Sequence, residues 1–139
     1  MGETQKKGNI GLVETIANLT RNGISVSIPI SESEKYDLIG EKNGICKTIQ
    51  VKFAKIHKDS IPVNLRSIWT NGNGYQIKHR KKQDFDILAV YCPDMNCVYY
   101  IDKKEFKNKN AITFRVKEPE RNRSRCRMIY DYLDCKKLW

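Results

Sequence analysis

The stretch Asp37-Leu38-Ile39-Gly40-Glu41-Lys42-Asn43-Gly44-Ile45-Cys46-Lys47-Thr48-Ile49-Gln50-Val51-Lys52-Phe53 decides how this chain folds and where its chemistry sits. Asn43-Gly44 is a strong two-residue hairpin signal, because both central residues of a type I′ turn need positive φ. It joins an expected strand over Tyr36–Lys42 to a second over Ile45–Phe53. With Lys42 facing Ile45, counting outward along both strands sets Asp37 opposite Gln50. Directly opposed side chains leave the same face of a sheet with Cβ atoms about 5 Å apart. Period-two alternation adds Lys52 to that face and turns Leu38, Ile49, Val51 and Phe53 to the apolar one. A carboxylate, an amide and an ammonium are thereby expected side by side.

Around this hairpin the pattern is of mixed type. Lys6–Asn22 reads as a helix, since Ile10, Leu12, Val13, Ile16, Ala17 and Leu19 gather on one side and Gly23 supplies the stop. Val26–Ile30 is a short strand, and Ile61–Trp69 another, closed by the turn Asn71-Gly72-Asn73-Gly74. Phe85–Tyr91 and Cys97–Ile101 form a strand pair around Pro93, Ala111–Val116 is a further strand, and Pro119–Lys137 reads as a closing helix with Met128, Ile129, Tyr132 and Leu133 inward. Helix, strands, then helix imply an α+β domain, a mixed sheet flanked by the terminal helices.

With 139 residues the chain has the size of one domain, expected over residues 1–139. A formal charge of +10 favours a polyanionic partner, nucleic acid before a membrane surface. No apolar run approaches spanning length, so a cytoplasmic protein with no membrane partner is expected. Cys46, Cys92, Cys97, Cys126 and Cys135 lack zinc-ribbon spacing and read as reduced thiols. The basic run Lys78-His79-Arg80-Lys81-Lys82 follows a glycine-rich turn and is the expected DNA-phosphate contact. Arg121, Arg123, Arg125 and Arg127 recur every second residue, which spreads them around a helix. His57 and His79 are isolated, and Asp84 and Asp86 read as structural.

The expected cluster suits phosphodiester hydrolysis. Asp37 offers a hard oxygen to Mg²⁺, with Mn²⁺ as a substitute, and the Gln50 amide oxygen and Val51 carbonyl extend the ligand set. Lys52 is placed to orient the attacking water or to balance charge growing on phosphorus. Glu14, about 40° past Ile10 on the helix, is an expected fourth participant in catalysis and metal binding. The plainer readings are an exposed Asp37–Lys52 ion pair, which contributes little, and a solvated Glu14.

Glu14, Asp37 and Gln50-Val51-Lys52 resemble the motif of the PD-(D/E)XK nuclease superfamily, and more narrowly its group I intron-encoded homing endonuclease branch, where glutamine replaces the second acid. The segments KGNIGLVETIANLTRNGISVSIPISESEKYDLIG (7–40), TIQVKFA (48–54) and QDFDILAVYCPDMNCVYYI (83–101) carry the likeness. It implies a restriction-endonuclease-like core and site-specific, divalent-metal-dependent cleavage of double-stranded DNA by a homodimer or homotetramer. A Holliday junction resolvase uses a similar arrangement but ordinarily keeps an acid at the place of Gln50. A non-catalytic DNA-binding module is the rival from another class.

Overall fold

The computed structural model describes residues 1–65, 67–71, 74–78, 85–121 and 126–139, with 67–71 and 74–78 described by backbone alone. Helix α1 (Glu3–Arg21) leads into β1 (Ser25–Ser27), β2 (Leu38–Lys42) and β3 (Ile45–Phe53). After β3 come β4 (Ser60–Asn64), β5 (Ser67–Asn71) and β6 (Gly74–Lys78), then β7 (Ile87–Cys92), β8 (Cys97–Asp102), a single turn α2 (Lys103–Phe106) and β9 (Ala111–Arg115). The central sheet has the order β1-β2-β3-β7-β8. Only β3 and β7 run parallel in it, so the sheet is mixed, as the element pattern predicts.

The decisive turn forms as expected. Asn43 and Gly44 take φ values of 52° and 81°, and Lys42 pairs with Ile45. The ladder continues to Leu38 opposite Ile49, and just before it Asp37 meets Gln50 through their side chains. Gly23, at φ 79°, ends α1 as its position suggests.

The sheet is sandwiched between two different layers. On one face, Leu12, Ile16 and Leu19 of α1 pack on Leu38, Ile49, Val51, Ile87, Ala89 and Tyr100. On the other, Leu88, Val90, Tyr99 and Ile101 pack on Ile61 and Val63 of β4 and on Ile112 and Phe114 of β9. Strands β4 and β9 form a separate antiparallel ribbon, and Pro62 is tolerated there because such a ribbon offers an unpaired edge. The strand expected over Ile61–Trp69 is therefore two strands in different sheets: β4 pairs with β9, and β5 pairs with β6.

The closing helix expected over Pro119–Lys137 is corrected by the structure. Among the described residues this segment holds two short 3₁₀ turns, Ile129–Tyr132 and Cys135–Leu138, with Met128 extended and bridged to Arg115. The reason is where its apolar residues must go. Ile129 and Tyr132 pack in the β4–β9 layer, whereas Cys135, Leu138 and Trp139 pack on the α1 side of the sheet. A straight helix presents one stripe to one surface. A chain that serves both faces has to bend between them, and Leu133, expected inward, is left 42% exposed at the bend.

The far end of this segment braces the hairpin. The Trp139 indole Nε1 donates to the Gly40 and Ile45 carbonyls at 3.3 and 3.1 Å. Gly40 is required beneath it, because a Cβ there would lie 2.6 Å from the ring. We expect Gly40→Ala to cost about 1–3 kcal/mol by overpacking, read as a lower denaturation midpoint. In a Trp139→Ala background the same substitution should cost far less. An equal cost in both backgrounds would show that the ring contact is not what excludes a side chain.

Candidate functional site

Strand β3 outruns its neighbour. Strand β2 begins at Leu38, so the N–H and C=O of Val51, which point toward that side, have no strand opposite them. Asp37 fills the gap with its side chain. Its backbone N–H donates to the Ile49 carbonyl at 2.8 Å, and its Oδ2 accepts from the Val51 N–H at 2.8 Å. The Gln50 Nε2 donates to the same Oδ2 at 2.8 Å and lies 3.4 Å from the Val51 carbonyl oxygen.

Gln50 is only 8% exposed, and Thr15 is the other buried polar or charged side chain among the described residues. Thr15 is satisfied within its helix by the Gly11 carbonyl at 2.8 Å. Gln50 instead faces an anionic oxygen and a carbonyl oxygen from the wall of an open cleft. That cleft is lined by Asp37, Gln50 and Val51 from the hairpin and by Gln5, Gly8, Asn9 and Leu12 from α1.

Lys52 is the next residue along β3 on the Gln50 face, paired with Val90 as Gln50 is with Leu88. It lines a different depression, with Phe53, Ala54, Lys55, Pro62, Val63 and Asn64. Glu14 is not brought to the cleft. It lines a separate surface dent with Lys6, Asn9, Ile10 and Val13, and its charge acts on Tyr91, whose hydroxyl pKa is raised first by burial and then by Glu14. The helix residues that do line the cleft, Gln5, Asn9 and Leu12, were missed by the sequence reading. Their helical spacing was visible, but which arc of α1 would face Asp37 was not.

Of the expected DNA-contacting run, Lys78 ends β6, and His79, Arg80, Lys81 and Lys82 lie outside the described residues. Arg123, Arg125 and Asp84 lie outside them as well. Arg127 pairs with Glu105 at 3.4 Å. Cys92 and Cys97 face each other across the β7–β8 hairpin as free thiols, their pKa values raised chiefly by burial.

Asp86 has a structural task, as expected. Its Oδ2 accepts from the Thr48 N–H and hydroxyl at 3.0 and 3.2 Å, and Lys103 Nζ lies 3.3 Å from Oδ1. Burial raises its pKa, but hydrogen bonds from Thr48 and Lys103 outweigh that and hold it below the ordinary value of 3.8. This clasp joins the start of β7 to β3 two residues before Gln50, and so helps fix the register of the site.

Among the described residues, no three His, Cys, Asp or Glu side chains gather in one place. The donor set in the cleft is therefore one carboxylate with neutral oxygens, hard donors that fit a single divalent cation such as Mg²⁺. None of the described helices is long and apolar enough to cross a membrane.

Comparison with known proteins bears on the family and the fold. A family model described as PD-(D/E)XK endonuclease matches residues 2–134. Among solved structures, the bacterial homing endonuclease I-Ssp6803I superposes with a TM-score of 0.78 at 24% identity, covering 99% of this chain and 93% of that one. A match this distant speaks for a shared fold. No curated protein matches the chain.

The Asp86 clasp makes a pH prediction. A depressed carboxyl pKa contributes stability that is full above the unfolded value and is lost as pH falls through the folded one. The stability advantage of the wild type over Asp86→Asn, measured by denaturation, should be present at neutral pH and shrink on acidification below the ordinary carboxylate range. An advantage unchanged at acid pH would remove the charge from the explanation.

Proposed function

The chain belongs to the PD-(D/E)XK endonuclease family, and from that premise we propose that it hydrolyses phosphodiester bonds of double-stranded DNA in a divalent-metal-dependent, site-specific reaction in the cytoplasm. The observation that carries this reading is the meeting of the Asp37 carboxylate, the buried Gln50 amide and the Val51 carbonyl in one open cleft, with Lys52 next along the same face. We take residues 1–139 to act as one catalytic unit.

Asp37, Gln50 through its amide oxygen, and the Val51 carbonyl would hold the cation, Mg²⁺ or Mn²⁺. When bound, it supplies Lewis-acid polarisation of a phosphate oxygen and lowers the pKa of water beside it. The chain's own groups do the positioning. Asp37 is oriented by the Val51 N–H, so its carboxylate is fixed before any ligand arrives. The Gln50 amide is neutral and can present either end, its N–H to Asp37 or its oxygen to a cation, without a change of charge. Lys52 holds a proton on Nζ next to the scissile phosphate, where it offsets negative charge that grows in the transition state. The run Lys78–Lys82 contacts flanking phosphates and sets register on the duplex. Glu14 lies on another side of α1 and is left out of the reaction. One such cleft cuts one strand, so a double-strand break calls for a homodimer or homotetramer.

The test is a randomised duplex library incubated with Mg²⁺. Wild type should release ends at a common sequence, and Asp37→Ala and Lys52→Ala should each lose at least about 10²-fold in rate while still binding. Binding without cleavage by the wild type would instead favour a DNA-binding module, and preference for a four-way junction would favour a resolvase.

Gln50→Glu gives a second prediction. It sets a second carboxylate beside Asp37 in a mostly buried position, and such a pair resists full ionisation. The variant should be about 1–3 kcal/mol less stable than wild type at neutral pH without metal, and Mg²⁺ should raise its melting temperature more than it raises that of wild type. A melting temperature indifferent to Mg²⁺ would place the cation elsewhere.

A further inference from the structure

The β7–β8 hairpin turns through Pro93-Asp94-Met95-Asn96 and carries a cysteine at each foot. Cys92 and Cys97 are Cα partners in the ladder, and opposed residues leave the same face of a sheet. Cys92 sits in the core cluster that holds Val90 and Tyr99, and Cys97 packs against it. We propose that this pair is a reversible redox site, a dithiol that a low-molecular-weight disulfide oxidises to a cross-strand disulfide.

The geometry suits that bond with little movement. Opposed Cα atoms of an antiparallel pair stand about 4.5–5.5 Å apart, inside the roughly 4.4–6.8 Å that a disulfide spans. Their Cβ atoms, about 5 Å apart before closure, must draw together by about 1 Å. That strain makes the bond easy to reduce, so the closed form is transient and the dithiol is the resting state. The Cys97 pKa is raised first by burial and next by Cys92, which sets the two sulfurs within electrostatic reach. The turn between them is already fixed: the Asn96 N–H donates to the Pro93 carbonyl at 3.3 Å, and Asp94 Oδ2 accepts from the Ile56 N–H at 2.8 Å. Other thiols are placed differently, Cys46 opposite Glu41 and Cys135 in the core on the α1 side of the sheet.

Burial assigns the order of reaction. Cys92 is fully buried and Cys97 half-buried, so Cys97 is the thiol an oxidant reaches. Its thiolate attacks one sulfur of the small disulfide, forming a mixed disulfide as the old S–S bond breaks, and the departing thiolate takes up the proton that Cys97 lost. The Cys92 thiolate then attacks the Cys97 sulfur and expels the second small thiolate, which is protonated in turn. Two thiols of the chain give up two electrons, and one external disulfide becomes two thiols. Burial raises the Cys92 pKa, while N–H bonds from Met95 and Asp94 to its sulfur oppose that rise and favour the attacking thiolate.

The full chain, incubated with oxidised glutathione, alkylated and digested with trypsin, tests this without DNA or metal, so its failure leaves the nuclease reading untouched. Cys92 and Cys97 fall in one peptide, Gln83–Lys103, which holds no other cysteine. In wild type that peptide should become lighter by two hydrogen atoms with no glutathione attached, and excess reduced glutathione should reverse the change. Cys92→Ser should stop at a mixed disulfide on Cys97. In Cys97→Ser, Cys92 should react at least about tenfold more slowly than Cys97 does in Cys92→Ser. Far-UV circular dichroism checks that both variants are folded, and the wild-type peptide decides the matter by itself. A peptide that stays reduced, that retains glutathione without closing, or that closes only in denaturant would each overturn the proposal.

Discussion

Oδ2 of Asp37 accepts both the Val51 N–H and the Gln50 amide at 2.8 Å, and through these two bonds the end of one strand is tied to the middle of the next. The chemistry proposed for the protein depends on that tie. It is possible because the Asn43-Gly44 turn fixes the β2–β3 register without slack. A slip of one residue would send Gln50 and Lys52 to the α1 face and Val51 to the site. The register is held from three further directions: by α1 packed on Val51, by the Asp86–Thr48 clasp, and by Trp139 seated over Gly40.

The amide at position 50 suits the proposed cation site, which has to be stable both with and without its ion. The side chain is nearly enclosed, and a carboxylate there would stand within hydrogen-bonding distance of Asp37. Like charges that close raise each other's cost of ionisation. A neutral amide avoids that cost and satisfies Asp37 directly. The consequence is a weaker claim on metal than a pair of acids would make, with α1 contributing only neutral residues, Gln5, Asn9 and Leu12, to the opposite wall. Membership of the PD-(D/E)XK family therefore comes with a cleft of low negative charge in a chain of net charge +10.

What could be read from the sequence was whatever rests on short-range geometry. The hairpin, its register and the meeting of Asp37 with Gln50 follow from one dipeptide and period-two alternation, and the structure has them as expected. Strands β7 and β8 and helix α1 were legible for the same reason, each carrying its own pattern. The long-range arrangement was not. Ile61–Trp69 reads as one apolar run, but whether β4 pairs with β9 depends on a strand some fifty residues away. The stripe Met128, Ile129, Tyr132 and Leu133 has helical spacing, yet the need to reach both faces of the sheet overrides it. Glu14 failed to reach the cleft because the periodicity of α1 gives the width of its apolar arc and not its rotation over β3. In the structure that rotation turns Gly11, Thr15 and Leu19 inward, with Gly11 against Val51 and Phe53.

The most direct measurement is paramagnetic line broadening by Mn²⁺, added substoichiometrically to isotope-labelled protein and read in a proton–nitrogen correlation spectrum. The account predicts that the Gln50 side-chain amide and the Val51 N–H disappear first, that excess Mg²⁺ restores them, and that Asp37→Ala abolishes the effect. Broadening that centres on Glu14 or Asp86 while the Gln50 amide stays sharp would contradict it.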